Sequence, residues 1–421
     1  MKSLWIVNKY CGSYHEKVFG KKATGGQWLD AMLDEAKNCE NDSIVVVNIE
    51  RDPKITYFKD GNISYYTIND TPNEKYDYKS QKAINDWKTI IDKEKPDIIE
   101  IWGTEFPYAL AAMEAAGSIP YVIYVQGILD SIAKYYLSGL TNNELKKAVT
   151  LRDILTRSTI KQTKSAYEKR AEYEREISNK AGHIIIENEW AWAYYEKMCP
   201  GVTAHFLPIS ISESFCKYNW SAESMIAHTI MCPAANYPIK GLHMLLKALV
   251  IVKQSYPDVK LYVPGTAPRT LNSIKARLKQ NGYDKLIRAM IDELELAENI
   301  IYTGRLTADE MAQKMSEVNC FVMCSAIENH SSTLKEAMTV GAPCVSSFVG
   351  GIGEYAKDGE NCLLHRFEDY EVLANNICRI FEDKQLRQKL SQNAKETLRS
   401  PNQVCSYEKM RKIFEQIALS E

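Results

Sequence analysis

Two α/β domains built on parallel sheets are predicted by three observations. Short β-rich apolar runs alternate with helical patterns almost from end to end. The chain has 421 residues, more than the roughly 100–200 typical of one domain. The stretch "SISESFCKYNWSAESMIAH" at 210–228 has turn formers, few apolar positions and no clear period, and it separates two series of strands.

The first series reads "LWIVN", "SIVVVNI", "PDIIEIW", "YVIYVQG", "AGHIIIE" and "AHFLPI". Runs this short, with helical patterns between them, suit parallel strands joined by crossover helices. Residues 131–180 break the rhythm: no strand signal occurs, and eleven basic residues face six acidic ones, including Lys146, Lys147, Arg152, Arg157, Lys161 and Lys164. Two readings stand, a solvated helical insertion in the first domain or a basic surface that meets anionic headgroups or a phosphate-bearing acceptor. The second series reads "HTIMCPA", "VKLYVPG", "NIIYTG", "NCFVMC" and "PCVSSF". Between its first two strands, Leu242, Leu245, Leu246, Leu249 and Val250 fall on one face of an amphipathic helix that must end before Pro257. The last segment, "QVCSYEKMRKIFEQIAL", is helical and is expected to cross back to the first domain. The predicted division is 1–215 with insertion 131–180, then 216–400, then the C-terminal helix 401–421.

Composition excludes several classes. Fifty-two basic residues nearly balance 54 acidic ones, net −2, which removes a general electrostatic case for nucleic-acid binding. No run of about 18 apolar residues is available for a membrane span. The opening "MKSLWIVNKY" has too short an apolar run for a signal peptide, and the cysteines lack metal-ligand pairing, so reduced thiols in a cytoplasmic protein are expected. Cys320 and Cys324 flank "FVM" in a strand-like run and read as buried thiols.

The chemistry concentrates in "SAIENHSSTLKEAMTVGAPCV", 325–345. Glu328 follows an apolar strand, at the end of a parallel sheet where ligands bind. Ser331, Ser332 and Thr333 are helix-capping residues, and "TLKEAMTVG" reads as a helix closed by Gly341 and Pro343. Its N-terminus offers unpaired N–H groups to a diphosphate. Glu336, a turn inside, can accept hydrogen bonds from a vicinal diol such as a ribose, and Glu328 from a sugar hydroxyl. By spacing alone, both carboxylates could equally be simple partners of the helix dipole.

From 325 onward, "SAIENHSSTLKEAMTVGAPCVSSFVGGIGEYAKDGENCLL" resembles the signature of the retaining glycosyltransferases of family four. It has the glutamate, seven residues, glutamate, then "EAM", "G-x-P-x-V", "GG-x-x-E" and "DG-x-N". Upstream, "NYPIKGLHMLLKAL", "LYVPG", "TGGQW" and the strands from "PDIIEIW" to "YVIYVQG" resemble further parts of the family. The resemblance implies two Rossmann-like domains facing across a cleft, the GT-B arrangement, with the nucleotide-sugar donor mainly on the second. It further implies that Lys240 neutralises the donor diphosphate, Glu336 holds the ribose, Glu328 orients the transferred sugar, Gly25 and Gly26 let the first-domain backbone approach, and Gly351 and Glu354 shape the wall. No metal and no cofactor is implied, lysine and helix dipole serving instead.

This chain departs from the family in three places. Where an arginine usually precedes the lysine, the chain reads "AANYP", so Asn236 or Arg305 is expected to substitute; Gln126 stands where a histidine is common; and His330 is either substrate-lining or a surface residue. Gln126 together with "IWGTE" and "ENHSSTLKEAM" looks most like the bacterial capsule and exopolysaccharide members. The expected activity is hexosyl or N-acetylhexosaminyl transfer to a surface-glycan or lipid-linked acceptor, with peripheral membrane contact through 131–180. A non-catalytic GT-B scaffold and a nucleotide-sugar 2-epimerase are the alternatives.

Overall fold

The computed structural model describes residues 1–21, 27–39, 41–73, 75–234, 237–268, 280–400 and 406–420. The chain divides into two compact units: Met1–Asp130, Glu168–Ile211 and Val404–Glu421 form the first, Ser131–Tyr167 and Ser212–Gln403 the second.

The first unit holds β1 (Lys2–Ile6), β2 (Ser43–Glu50), β3 (Tyr57–Asp60), β4 (Ile63–Asn69), β5 (Ile98–Trp102), β6 (Tyr121–Tyr124), β7 (His183–Ile186) and β8 (Thr203–Phe206). They lie in the order β3-β4-β2-β1-β5-β6-β7-β8, parallel except for β3 against β4. Every residue of β5, "IIEIW", is buried, as a strand covered on both faces requires. The β3–β4 hairpin was absent from the expected strands. It turns at Asp60-Gly61, with Gly61 at φ 61°, a sequence signal that went unused because polar, half-exposed "YFKD" lacks a strand's apolar alternation.

The second unit holds β9 (Ile226–Met231), β10 (Lys260–Pro264), β11 (Ile300–Gly304), β12 (Val318–Met323), β13 (Cys344–Ser347) and the three-residue β14 (Leu363–His365), too short to be read from sequence. Their order is β11-β10-β9-β12-β13-β14, and every pair is parallel. This is the Rossmann order, and the winding reverses between β9 and β12, the place where folds of this order take their ligands at the strands' carboxyl ends. The amphipathic helix spans Leu242–Ser255 and buries Leu242, Leu245, Leu246 and Leu249.

The insertion follows β6, but its packing is divided, which corrects its assignment as a whole to the first domain. Residues 131–167 belong to the second unit. Tyr136, Leu140, Leu145, Ala148 and Ile160 share a core with Leu242 and Leu245. His243 Nε2 donates to the Ser138 carbonyl at 2.7 Å, and Glu144 pairs with Lys247 at 3.0 Å. Its apolar residues are too sparse and irregular to announce in sequence which core they join. From Glu168 the same helix, Ile160–Lys180, belongs to the first unit, where Ile177 joins the core. The C-terminal helix, Tyr407–Ser420, also lies in the first unit, burying Tyr407, Met410, Phe414 and Ile417 beside Trp5 and Leu33.

Candidate functional site

The reversal of strand order brings two loops together. After β9 a single 3-10 turn, Pro238–Lys240, presents Lys240, and the loop after β12 presents Glu328. Lys240 Nζ lies 2.5 Å from Glu328 Oε1, and Ser325 Oγ donates to the same oxygen at 2.6 Å. Burial alone would lower the Lys240 pKa, but the Glu328 carboxylate overrides it and raises the pKa above the usual lysine value, so the ammonium is held charged. The Ala326 N–H donates to the Ile239 carbonyl at 2.7 Å, tying the loops through their backbones. Gly241 explains the Lys-Gly pair: its φ is 73°, and a Cβ there would stand 1.7 Å from the Cys324 carbonyl oxygen.

The helix Ser332–Val340 starts directly beyond Glu328. Ser331 caps it with φ 47°, its hydroxyl accepting from the Leu334 N–H, while the N–H groups of Ser332 and Thr333 have no intrahelical partner. That end of the helix suits an anion. Glu336 sits in the next turn with 8% of its surface exposed. Burial raises its carboxyl pKa to about 7, and among the described residues no group hydrogen-bonds to it. Such a carboxylate is costly to leave buried and uncompensated unless a ligand supplies donors. The wall is closed by the Gly350–Glu354 turn, where Gly351 N–H donates to the Asn329 carbonyl at 3.0 Å and a Cβ on Gly350 would lie 1.7 Å from the Glu328 carbonyl oxygen. Glu354 is exposed at the end of this turn.

Glu328, Lys240, Ser331, Ser332, Thr333 and Glu336 thus lie on the loops and the helix that follow β9 and β12 in the second unit. His330 belongs to the same loop and is buried, which removes the surface reading; its carbonyl accepts from the Tyr355 hydroxyl at 2.5 Å. Arg305 follows β11, the edge strand two places from β9, is exposed, and makes no hydrogen bond or ion pair with the other candidates among the described residues. Gln126 belongs to the first unit, just beyond the carboxyl end of β6, partly buried. Gly25, Gly26 and Asn236 lie outside the described residues. Sequence reasoning missed Ser325, whose role depends on how its loop folds onto Glu328. It also missed Tyr237, next to the Pro238–Lys240 turn, which is 36% exposed while its hydroxyl pKa is pushed up by desolvation and feels both Lys240 and Glu328. Cys320 and Cys324 are free and buried, and Cys324 Sγ lies 3.7 Å from Cys232 Sγ beneath the loops.

Residues 228–397 match the family model described as glycosyl transferases group 1, which covers less than half of the chain. Among curated relatives, the lipopolysaccharide 1,2-N-acetylglucosaminetransferase of Salmonella typhimurium is 24% identical over 53% of this chain and 59% of its own length. Alignments to other curated relatives span about a third of those proteins, 32% and 37% of their lengths. Among solved structures, sucrose-phosphate synthase from Thermosynechococcus elongatus has a TM-score of 0.74 at 16% identity, with 100% of both chains covered. Anabaena HepE, solved in complex with UDP-glucose, has a TM-score of 0.65 at 17% identity, again with 100% of both chains covered. The fold is that of the two-Rossmann GT-B class.

Proposed function

We propose that this chain, whose second unit carries the group 1 glycosyltransferase segment, is a retaining glycosyltransferase of family-four type. It moves a hexosyl or N-acetylhexosaminyl group from a nucleotide diphosphate donor to a surface-glycan or lipid-linked acceptor. The observation that carries this is Glu336, a buried carboxylate with no hydrogen-bond partner among the described residues, set a turn behind the N-terminus of the helix that follows the Glu328 loop. The ribose hydroxyls donate to Glu336, the diphosphate takes the N–H groups of Ser332 and Thr333, and Lys240 turns from Glu328 to the phosphate charge that develops as the anomeric C–O bond breaks. Glu328, released from Lys240, accepts from the transferred sugar. The acceptor hydroxyl attacks on the face the diphosphate leaves, and its proton passes to the departing phosphate oxygen. Lysine and helix dipole meet the leaving-group charge, so the reaction is proposed to need no divalent ion. Gln126, His330, Gly25, Gly26, Asn236 and Arg305 keep their proposed substrate-facing roles, and cytoplasmic action with peripheral membrane contact through 131–180 completes the reading.

Thermal-shift screening against nucleoside diphosphates tests the donor site: a ligand at about 100 times its Kd adds roughly 2.7 kcal/mol of stability. Incubation with the matching nucleotide sugars, read by NMR of the new anomeric centre with and without chelator, tests the reaction. Retention unaffected by chelator is expected. Formation of the 2-epimer, or binding with no turnover on any acceptor, would replace this reading with the epimerase or the scaffold.

A further inference from the structure

Within the part of the insertion that packs on the second unit, the two-turn helix Leu151–Thr156 is built inside out. Leu151, Ile154 and Leu155 are 69%, 54% and 82% exposed, whereas Asp153 is 1% exposed. Residues 151, 154 and 155 share one helical face, so a continuous aliphatic stripe points to solvent and the acid points to the core. The orientation is fixed by the unit itself. Asp153 lies against the first turn of the helix Gly282–Glu293, so close that a Cβ on Gly282 would come 2.8 Å from its Oδ2, and the positive end of that helix favours the carboxylate. Lys285 Nζ donates to the Val149 carbonyl at 3.0 Å, and Lys147 pairs with Glu293 at 2.9 Å. In sequence the stripe is flanked by Lys146, Arg157 and Lys161, all exposed. Residues 141–167 hold six basic side chains against Glu144 and Asp153, of which one is tied to Lys247 and the other buried.

We propose that Leu151, Ile154 and Leu155 form a wedge that enters an anionic lipid surface, with Lys146, Arg157 and Lys161 against the headgroups. Aliphatic side chains flanked by lysine and arginine match the two layers such a surface offers, an apolar interior beneath a negative plane. A second copy of this chain would set like charges against each other beside the stripe, so self-association is disfavoured. The proposal rests on the transferase reading only for its use, which is to bring the second unit to a lipid-linked acceptor.

The test is co-sedimentation of the full chain with phosphatidylglycerol-containing and with pure phosphatidylcholine vesicles, at low and high salt. Binding to the anionic vesicles alone, weakened by salt, is expected. Leu155→Asp, at a site too exposed to endanger folding, should lower the partition about tenfold or more. Leu155→Trp should show a blue-shifted emission quenched by brominated acyl chains. No vesicle binding, an unchanged partition for Leu155→Asp, or a concentration-dependent dimer abolished by Leu155→Asp would overturn the proposal. Nucleoside diphosphate thermal shifts on the same samples separate the two readings: vesicle binding without nucleotide binding sinks the donor site alone, and the reverse sinks the wedge alone.

Discussion

Glu336 is where burial and the proposed function meet at the scale of one residue. Its carboxyl is raised to about 7 by burial, so the empty site is half protonated near neutrality, whereas a ribose diol requires the anion. Nucleoside diphosphate affinity should therefore rise between pH 6 and pH 8, roughly a unit either side of that value. In Glu336→Gln only the nucleotide's own ionisation should remain in the calorimetric profile, and equal slopes for the two proteins would refute the assignment. Glu336→Ala should weaken binding at pH 8, with each lost charge-assisted bond worth about 1.5–3 kcal/mol. Glu328 presents the opposite case, because Lys240 and Ser325 both bond its Oε1 and no described group bonds its Oε2. Glu328→Gln keeps the volume but not the charge. Turnover should fall far more than nucleoside diphosphate affinity, and near-normal turnover would remove Glu328 from the reacting site. Both carboxylates were legible in the sequence because a strand end followed by capping residues names an address. Ser325 was not, since a serine three residues from a glutamate touches it only if the loop curls.

At the scale of elements, the site exists because a strand order reverses between β9 and β12 and because glycines let the loops there approach. Gly241 and Gly359 offer a direct comparison. Both have positive φ, 73° and 69°, but a Cβ at Gly241 would meet the Cys324 carbonyl at 1.7 Å, while at Gly359 nothing lies within 4 Å. Gly359→Ala should cost about 1 kcal/mol, the backbone term alone, and Gly241→Ala clearly more, about 2–4 kcal/mol, with loss of nucleotide binding. Denaturant titration of both variants checks this, and equal losses would show that close approach is not what the glycine provides. Most strands were legible as apolar runs because parallel strands are buried on both faces. The β3–β4 hairpin and β14 were not, one edge strand being polar and the other strand three residues long.

For the whole molecule, His243 in the second unit and Glu174 in the first should shift stability with pH in opposite senses. Burial lowers His243 to about 4, although its hydrogen bond to Ser138 opposes the shift; the unfolded chain, near 6.5, takes up the proton first. The His243 contribution to the second unit's stability should therefore be lost as pH drops from about 6.5 to 4, and His243→Gln should remove that part of the acid-side loss. In the first unit burial raises Glu174 to about 8, against hydrogen bonds from Thr104 and the Leu129 N–H that favour the anion. The unfolded carboxyl ionises near 4.3, so that unit should lose stability as pH rises from about 4.3 to 8. Scanning calorimetry across this range should show the loss at high pH flattened in Glu174→Gln, and an unaltered slope would contradict the assignment. Sequence by itself determined the two series of parallel strands, the C-terminal helix and the positions of Glu328 and Glu336 at a strand end and a helix start, because burial periodicity, caps and turn residues are written locally. Only the tertiary structure decided that residues 131–167 pack with the second unit, that Lys240 closes on Glu328, and that Leu151, Ile154 and Leu155 face outward over a buried Asp153. Those outcomes depend on which distant surface covers a side chain, and a helix of six residues has the same apolar stripe whether that stripe faces a core or solvent.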